Sequence, residues 1–112
     1  MAYPHKKERE EHYNCFFKSL HVMSDIERVM RCAELKDKDK TMREAIFLAS
    51  SLTDLKSCGF LDEDIQEMIS QVVKLHDDAK NENWNLIKVR LGKIMDEVYR
   101  GWSQYIKEKV KL

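Results

Sequence analysis

The sequence predicts an all-α protein, an antiparallel four-helix bundle running up-down-up-down with long first and last helices. Three observations carry that prediction. Apolar residues recur at gaps of three and four through every long segment, which marks one face of a helix. Only three Gly and one Pro occur in 112 residues, too little punctuation for a turn-rich β fold. The stretches between the periodic segments are short, and short connections make neighbouring helices antiparallel. The length suits a single domain, 1–112. A chain of this size buries roughly 60–70 % of its unfolded surface around one core.

The helices are expected at roughly 4–35, 42–58, 63–80 and 84–109. Pro4 suits the first position of the first helix, where its missing N–H is not needed. Glu8, Glu10 and Glu11 follow with the sign the helix dipole favours. The apolar stripe of this helix reads Tyr13, Phe16, Phe17, Leu20, Met23, Ile26, Met30 and Ala33. Ser24 to Glu27 has capping-box form, but the stripe continues across it, so a continuous helix is the better reading. Lys36 to Lys40 alternates in charge and reads as a solvated connection. Thr41 to Glu44 is a second capping box and opens the second helix, with Ala45, Ile46, Leu48, Ala49, Leu52 and Leu55 on its inner face. Gly59 fits the left-handed position after a helix end.

Asp62 is the expected N-cap of the third helix, with Glu63 and Asp64 in its first turn and Phe60 folded back as a staple. Ile65, Met68, Ile69, Val72, Val73, Leu75 and Ala79 form its face. Asn81-Glu82-Asn83 is a short turn. The last helix carries the clearest stripe of all: Trp84, Ile87, Leu91, Ile94, Val98, Trp102 and Tyr105, widened by Met95, Tyr99 and Ile106. Trp84 and Trp102 are both expected to be at least half buried. Gly101 inside this helix either permits a close approach or marks a bend. Two amphipathic helices around an Asn-Glu-Asn-Trp turn resemble the helical hairpins of many chaperone-like bundles. That likeness covers about half the chain and carries no site residue over.

Charge and cysteine usage bound the function. Twenty basic residues balance twenty acidic ones, although residues 41–80 are net acidic (4 basic, 8 acidic) and residues 81–112 net basic (7 and 4). A zero total argues against a dedicated DNA binder. Cys15, Cys32 and Cys58 are odd in number and lack a CxxC spacing, so three reduced thiols and a cytoplasmic setting are expected. No secretory signal is visible at the N-terminus, and no run approaches the ~18 apolar residues of a membrane span.

No catalytic motif emerges. Glu-x-x-His, HExxH, GxSxG and Gly-rich phosphate loops are missing from the sequence. Glu8, His12 and Cys15 share a helix face and offer part of a zinc site, but no fourth ligand pairs with them. His76, followed by Asp77 and Asp78, is a weak candidate for a phosphotransfer histidine. No catalytic, cofactor or metal residue is therefore assigned.

The favoured expectation is a non-enzymatic helical protein–protein interaction module, an adaptor, chaperone or inhibitor-type regulator. Its partner is another protein or a second copy of the chain. The alternative is a nucleic-acid accessory protein that uses the basic, aromatic C-terminal helix, where bases would stack on Trp102 and Tyr105. A small phosphotransfer or enzyme module ranks third. Phe16 and Phe17 are adjacent, so their side chains leave the helix about 100° apart and one ring must leave the core. Phe16 is assigned to the core with Leu20 and Met23. Phe17, with Tyr13 beside it, becomes the exposed anchor. Tyr13, Phe17, Trp102 and Tyr105 are the candidate partner-binding residues.

Overall fold

The computed structural model describes residues 6–110 and, within them, the side chains of residues 9–108. Helix α1 spans Lys6–Glu34, α2 Lys38–Thr53, α3 Asp62–Lys80 and α4 Trp84–Tyr105. A 3-10 turn, Asp54–Cys58, extends α2, and a π-helical turn, Ile106–Val110, extends α4. Consecutive helices pack together and α1 closes on α4, which makes the expected antiparallel four-helix bundle. The rod measures 58 × 21 × 18 Å. The helix start expected at Pro4 lies outside the described residues. Helix α1 runs unbroken through Ser24 for 29 residues. No helix among the described residues is long and apolar enough to cross a membrane.

Helices α1 and α3 end in the same turn. Lys36 adopts φ 54° and Glu82 φ 60°, both in the left-handed region. The Lys36 N–H bonds the Ala33 carbonyl at 3.0 Å and the Asp37 N–H bonds Cys32 at 3.0 Å. The Glu82 and Asn83 N–H groups repeat the pattern on Ala79 and Asp78 at 3.1 and 2.8 Å. Each turn thus satisfies the last carbonyls of one helix and starts the next immediately. This corrects the start of α2. The Asp37 carboxylate accepts from the Lys40 N–H at 3.1 Å and caps the helix, so Lys38 to Lys40 are helical rather than a solvated linker. Thr41 is instead buried, its hydroxyl donating to the Asp37 carbonyl at 2.6 Å. At α3 the cap position falls on Leu61, one residue before the expected Asp62, and no side chain bonds there.

The core departs from the expected stripe in α1. The buried row is Cys15, Ser19, Val22, Ile26, Val29 and Ala33, with Asp25 beside it. Of the stripe read from the sequence, Ile26 and Ala33 are buried, Met23 and Met30 are half-buried at the edge, and Phe16 and Leu20 are exposed along with the two residues expected to stand out, Tyr13 and Phe17. Phe16 is therefore not core: 41 % of it stays exposed. Both rows have helical period, and the one without aromatic rings packs α1 against its neighbours. Ile46, Val73 and Tyr99 likewise turn outward from their helices. The other stripes pack as read, around Leu48, Leu52, Met68, Leu75, Ile87, Leu91 and Ile94.

Polar ties join the hairpins. The Ser51 hydroxyl of α2 donates to the buried Asp25 carboxylate of α1. Between α3 and α4, Arg90 pairs with Asp78 and reaches Gln71 at 3.4 Å. A disulfide links Cys15 to Cys58 across 43 residues, with the Cα atoms 5.5 Å apart. The expectation of three reduced thiols therefore falls, and with it the ground for a cytoplasmic setting. Only Cys32 is free. Antiparallel packing of α1 on α2 and its 3-10 extension brings these two distant positions together.

Two tests follow from the turns and the bridge. Lys36→Gly and Glu82→Gly should each stabilise the fold by about 1 kcal/mol, because glycine accepts positive φ without the Cβ penalty. Chemical denaturation reads the effect, and a loss of stability in both would contradict the turn geometry. Thiol labelling of the denatured, unreduced protein should count one cysteine. Reduction should then cost roughly 2–4 kcal/mol of stability. A count of three would contradict the bridge.

Candidate functional site

The larger apolar row of α1 finds a counterpart on α4. On α4, Met95, Tyr99, Trp102 and Ile106 recur at gaps of four, three and four along the flank beside the core row. Antiparallel packing sets these flanks side by side. Phe16 lies against Trp102 with ring centroids 6.0 Å apart, and His12 against Tyr105 at 5.7 Å. Further along, Leu20, Met23, Met30, Met95 and Tyr99 line a shallow groove over Ile26. Groove and aromatics form one apolar surface along the α1/α4 side of the rod.

The four candidate residues fall into two groups. Tyr13 and Phe17 point outward, 63 % and 61 % exposed, one helical turn apart. Trp102 and Tyr105 are half-buried against the core and stack on each other, centroids 5.2 Å apart and planes within 11°. The Tyr105 hydroxyl lies 2.7 Å from His12 Nδ1. Burial, and then the Glu11 carboxylate, push the Tyr105 phenol above its usual range, so it stays a neutral hydrogen-bonding partner at neutral pH. Phe16 links the groups, touching Phe17 edge-on at 5.8 Å as well as Trp102. Phe17 itself leans over the α1/α2 side, near Asn14, His21 and Asp54. Trp84 is half-buried, like Trp102, as the stripe requires.

This end of the bundle has a fixed floor. Gly59 closes the 3-10 turn at φ 80° and turns the chain so that Phe60 enters the core. The Phe60 ring lies flat on Gly101 of α4, where an added Cβ would fall 2.6 Å from Cζ and 2.7 Å from Cδ2. Phe60 therefore packs across onto α4 rather than serving only as a staple on α3. Gly101 permits a close approach, the first of its two readings. Just behind, the Cys15–Cys58 bridge ties α1 to the same turn.

The remaining candidates do not come together in one group. Cys15 is in a disulfide, so its thiol is not available to complete a zinc site with His12, and the side chain of Glu8 lies outside the described residues. Among the described residues no group of three His, Cys, Asp or Glu side chains converges. His21 Nε2 lies 3.7 Å from Asp25, but the Ser51 hydroxyl bonds that same carboxylate rather than the imidazole. A histidine base poised on a serine nucleophile is not assembled there. His76 is half-buried, and the neighbouring Asp78 is engaged with Arg90. Sequence reasoning passed over Leu20, Met23, Met95 and Tyr99 as surface residues. The signal was present as a second apolar row on both long helices.

Compared with known proteins, the chain matches no family model, no curated protein and no solved structure.

A matched pair of glycine variants tests the floor of the site. At Gly92 an added Cβ meets nothing within 4 Å, whereas at Gly101 it meets Phe60. Gly92→Ala should stabilise by about 0.5–1 kcal/mol through helix propensity. Gly101→Ala should destabilise by roughly 1–3 kcal/mol as the ring is displaced. Thermal melts of both variants read the signs, and a stabilised Gly101→Ala would contradict the packing.

Proposed function

We propose that this protein is a non-enzymatic helical interaction module, of adaptor, chaperone or inhibitor type, that offers the outward aromatic row of α1, with the adjoining α1/α4 groove, to another protein. One observation carries the reading: the larger of the two apolar rows on α1 stays outside the core. Tyr13, Phe16, Phe17 and Leu20 are between 41 % and 63 % exposed on consecutive turns of one helix. Contiguous exposed apolar surface of this size marks interfaces more often than idle surface, and aromatic and Met side chains are enriched there. Met23, Met30 and Met95 give the adjoining groove adaptable walls. Half-buried Trp102 and Tyr105 act as a rigid backing, since their rings already stack on each other rather than standing free for bases.

The test is a double variant, Tyr13→Glu with Phe17→Glu. Both positions are exposed, so thermal stability should change by less than about 1 kcal/mol. Immobilised wild-type protein should retain a reproducible set of proteins from its source cells, and the variant should lose that set. Equal retention by both would contradict the reading.

A further inference from the structure

We propose that the α1/α4 groove binds a second copy of this chain, as a symmetric dimer whose two-fold axis runs along the bundle. The inference rests on the interaction-module reading and names one occupant for its groove.

The groove face carries Phe16, Leu20 and Tyr99 at 41 %, 48 % and 56 % exposure, with the half-buried Met23, Met95 and Trp102 between them. At roughly 150–250 Å² for a whole aromatic side chain, the exposed fractions of these six groups come to about 300–450 Å² of apolar surface. That is the size of the largest patch a typical monomer leaves open, roughly 300–600 Å², a patch that is often functional. It is about half of the ~800 Å² per partner of a standard stable interface, so the rim must supply the rest and the dimer is a weak one.

The charges along the groove are complementary. The register that sets His12 beside Tyr105 and Phe16 beside Trp102 places Lys88 level with Met30. Glu27 and Glu34 lie one turn to either side of Met30, and all three charged residues are exposed. Glu27 shares its charge with Arg31 at 3.6 Å, whereas neither Lys88 nor Glu34 forms an ion pair with another described residue. The α1 edge of the groove is thus acidic at this level and the α4 edge basic. A two-fold axis along the bundle lays each α1 over its partner's α4, top against top. Lys88 of each copy then meets Glu27 and Glu34 of the other, twice by symmetry. The apolar rows meet in the middle, Leu20 and Met23 against Met95 and Tyr99. An axis across the bundle would instead oppose α1 to α1 and set Glu27 over the apolar Leu20, which favours the lengthwise axis.

Sedimentation equilibrium across roughly 1 μM to 1 mM reads the outcome. The wild-type chain should show a monomer–dimer equilibrium in that range. Tyr99→Glu with Leu20→Glu should weaken the dimer at least ~100-fold with helicity and melting retained, since both positions are exposed. Lys88→Glu should weaken it about tenfold, as should Glu27→Lys with Glu34→Lys. All three reversals in one chain should restore the dimer, a rescue that a general stability effect cannot give. A wild-type monomer throughout the range would overturn the proposal while leaving binding of other proteins through Tyr13 and Phe17 intact. A dimer indifferent to Tyr99→Glu with Leu20→Glu, or charge reversals that do not rescue one another, would also overturn it.

Discussion

Helix α1 carries two apolar rows, and only one can face the core. The structure turns Cys15, Val22, Ile26, Val29 and Ala33 inward, and Tyr13, Phe16, Phe17 and Leu20 stay out. The other features of the molecule follow from that choice. The inward row, without aromatic rings, packs α1 against α2 and α4, and tight interiors are what give helices one defined arrangement. It also puts Cys15 where it can reach Cys58, and Asp25 where it can accept from Ser51. The excluded row becomes an exposed apolar surface along α1.

The N-terminal half of α1 depends on contacts far away in sequence. His12 and Phe16 meet Tyr105 and Trp102 at the C-terminal end of α4, and Cys15 and Lys18 are tied to Cys58 and Ser57 in the turn after α2. Three local devices fix that turn: the left-handed Gly59, the Phe60 ring on Gly101, and the disulfide. Together they set Trp102 and Tyr105 as a firm wall behind Phe16. A preorganised aromatic wall beside a Met-lined groove combines rigidity with adaptability, and each lowers the cost of docking in its own way.

Much of the fold was legible in the chain. The gaps of three and four in the last helix, the dearth of Gly and Pro, and the short Asn81–Asn83 turn were enough for an antiparallel bundle. The exposure of Tyr13 and Phe17 followed from the 100° step between adjacent helical residues. The row choice in α1 was not legible. Periodicity finds faces but does not rank two faces of equal period, and hydrophobicity favours the bulkier one. What decides is the width of the gap between neighbouring helices, a property of the assembled bundle. The Cys15–Cys58 bridge was hidden for the same reason: 43 residues separate its ends, and only the packed hairpin brings them together. The start of α2 was misplaced because two caps competed, and Asp37 won over Thr41 by completing the turn after α1.

The central claim is which row of α1 faces water. Relaxation of assigned side-chain NMR signals by a soluble gadolinium agent, on dilute protein, reports that residue by residue. The account predicts strong enhancement at Tyr13, Phe17 and Leu20, and protection at Val22, Ile26 and Val29. The reverse pattern, with the aromatic row shielded and the valines relaxed, would contradict it.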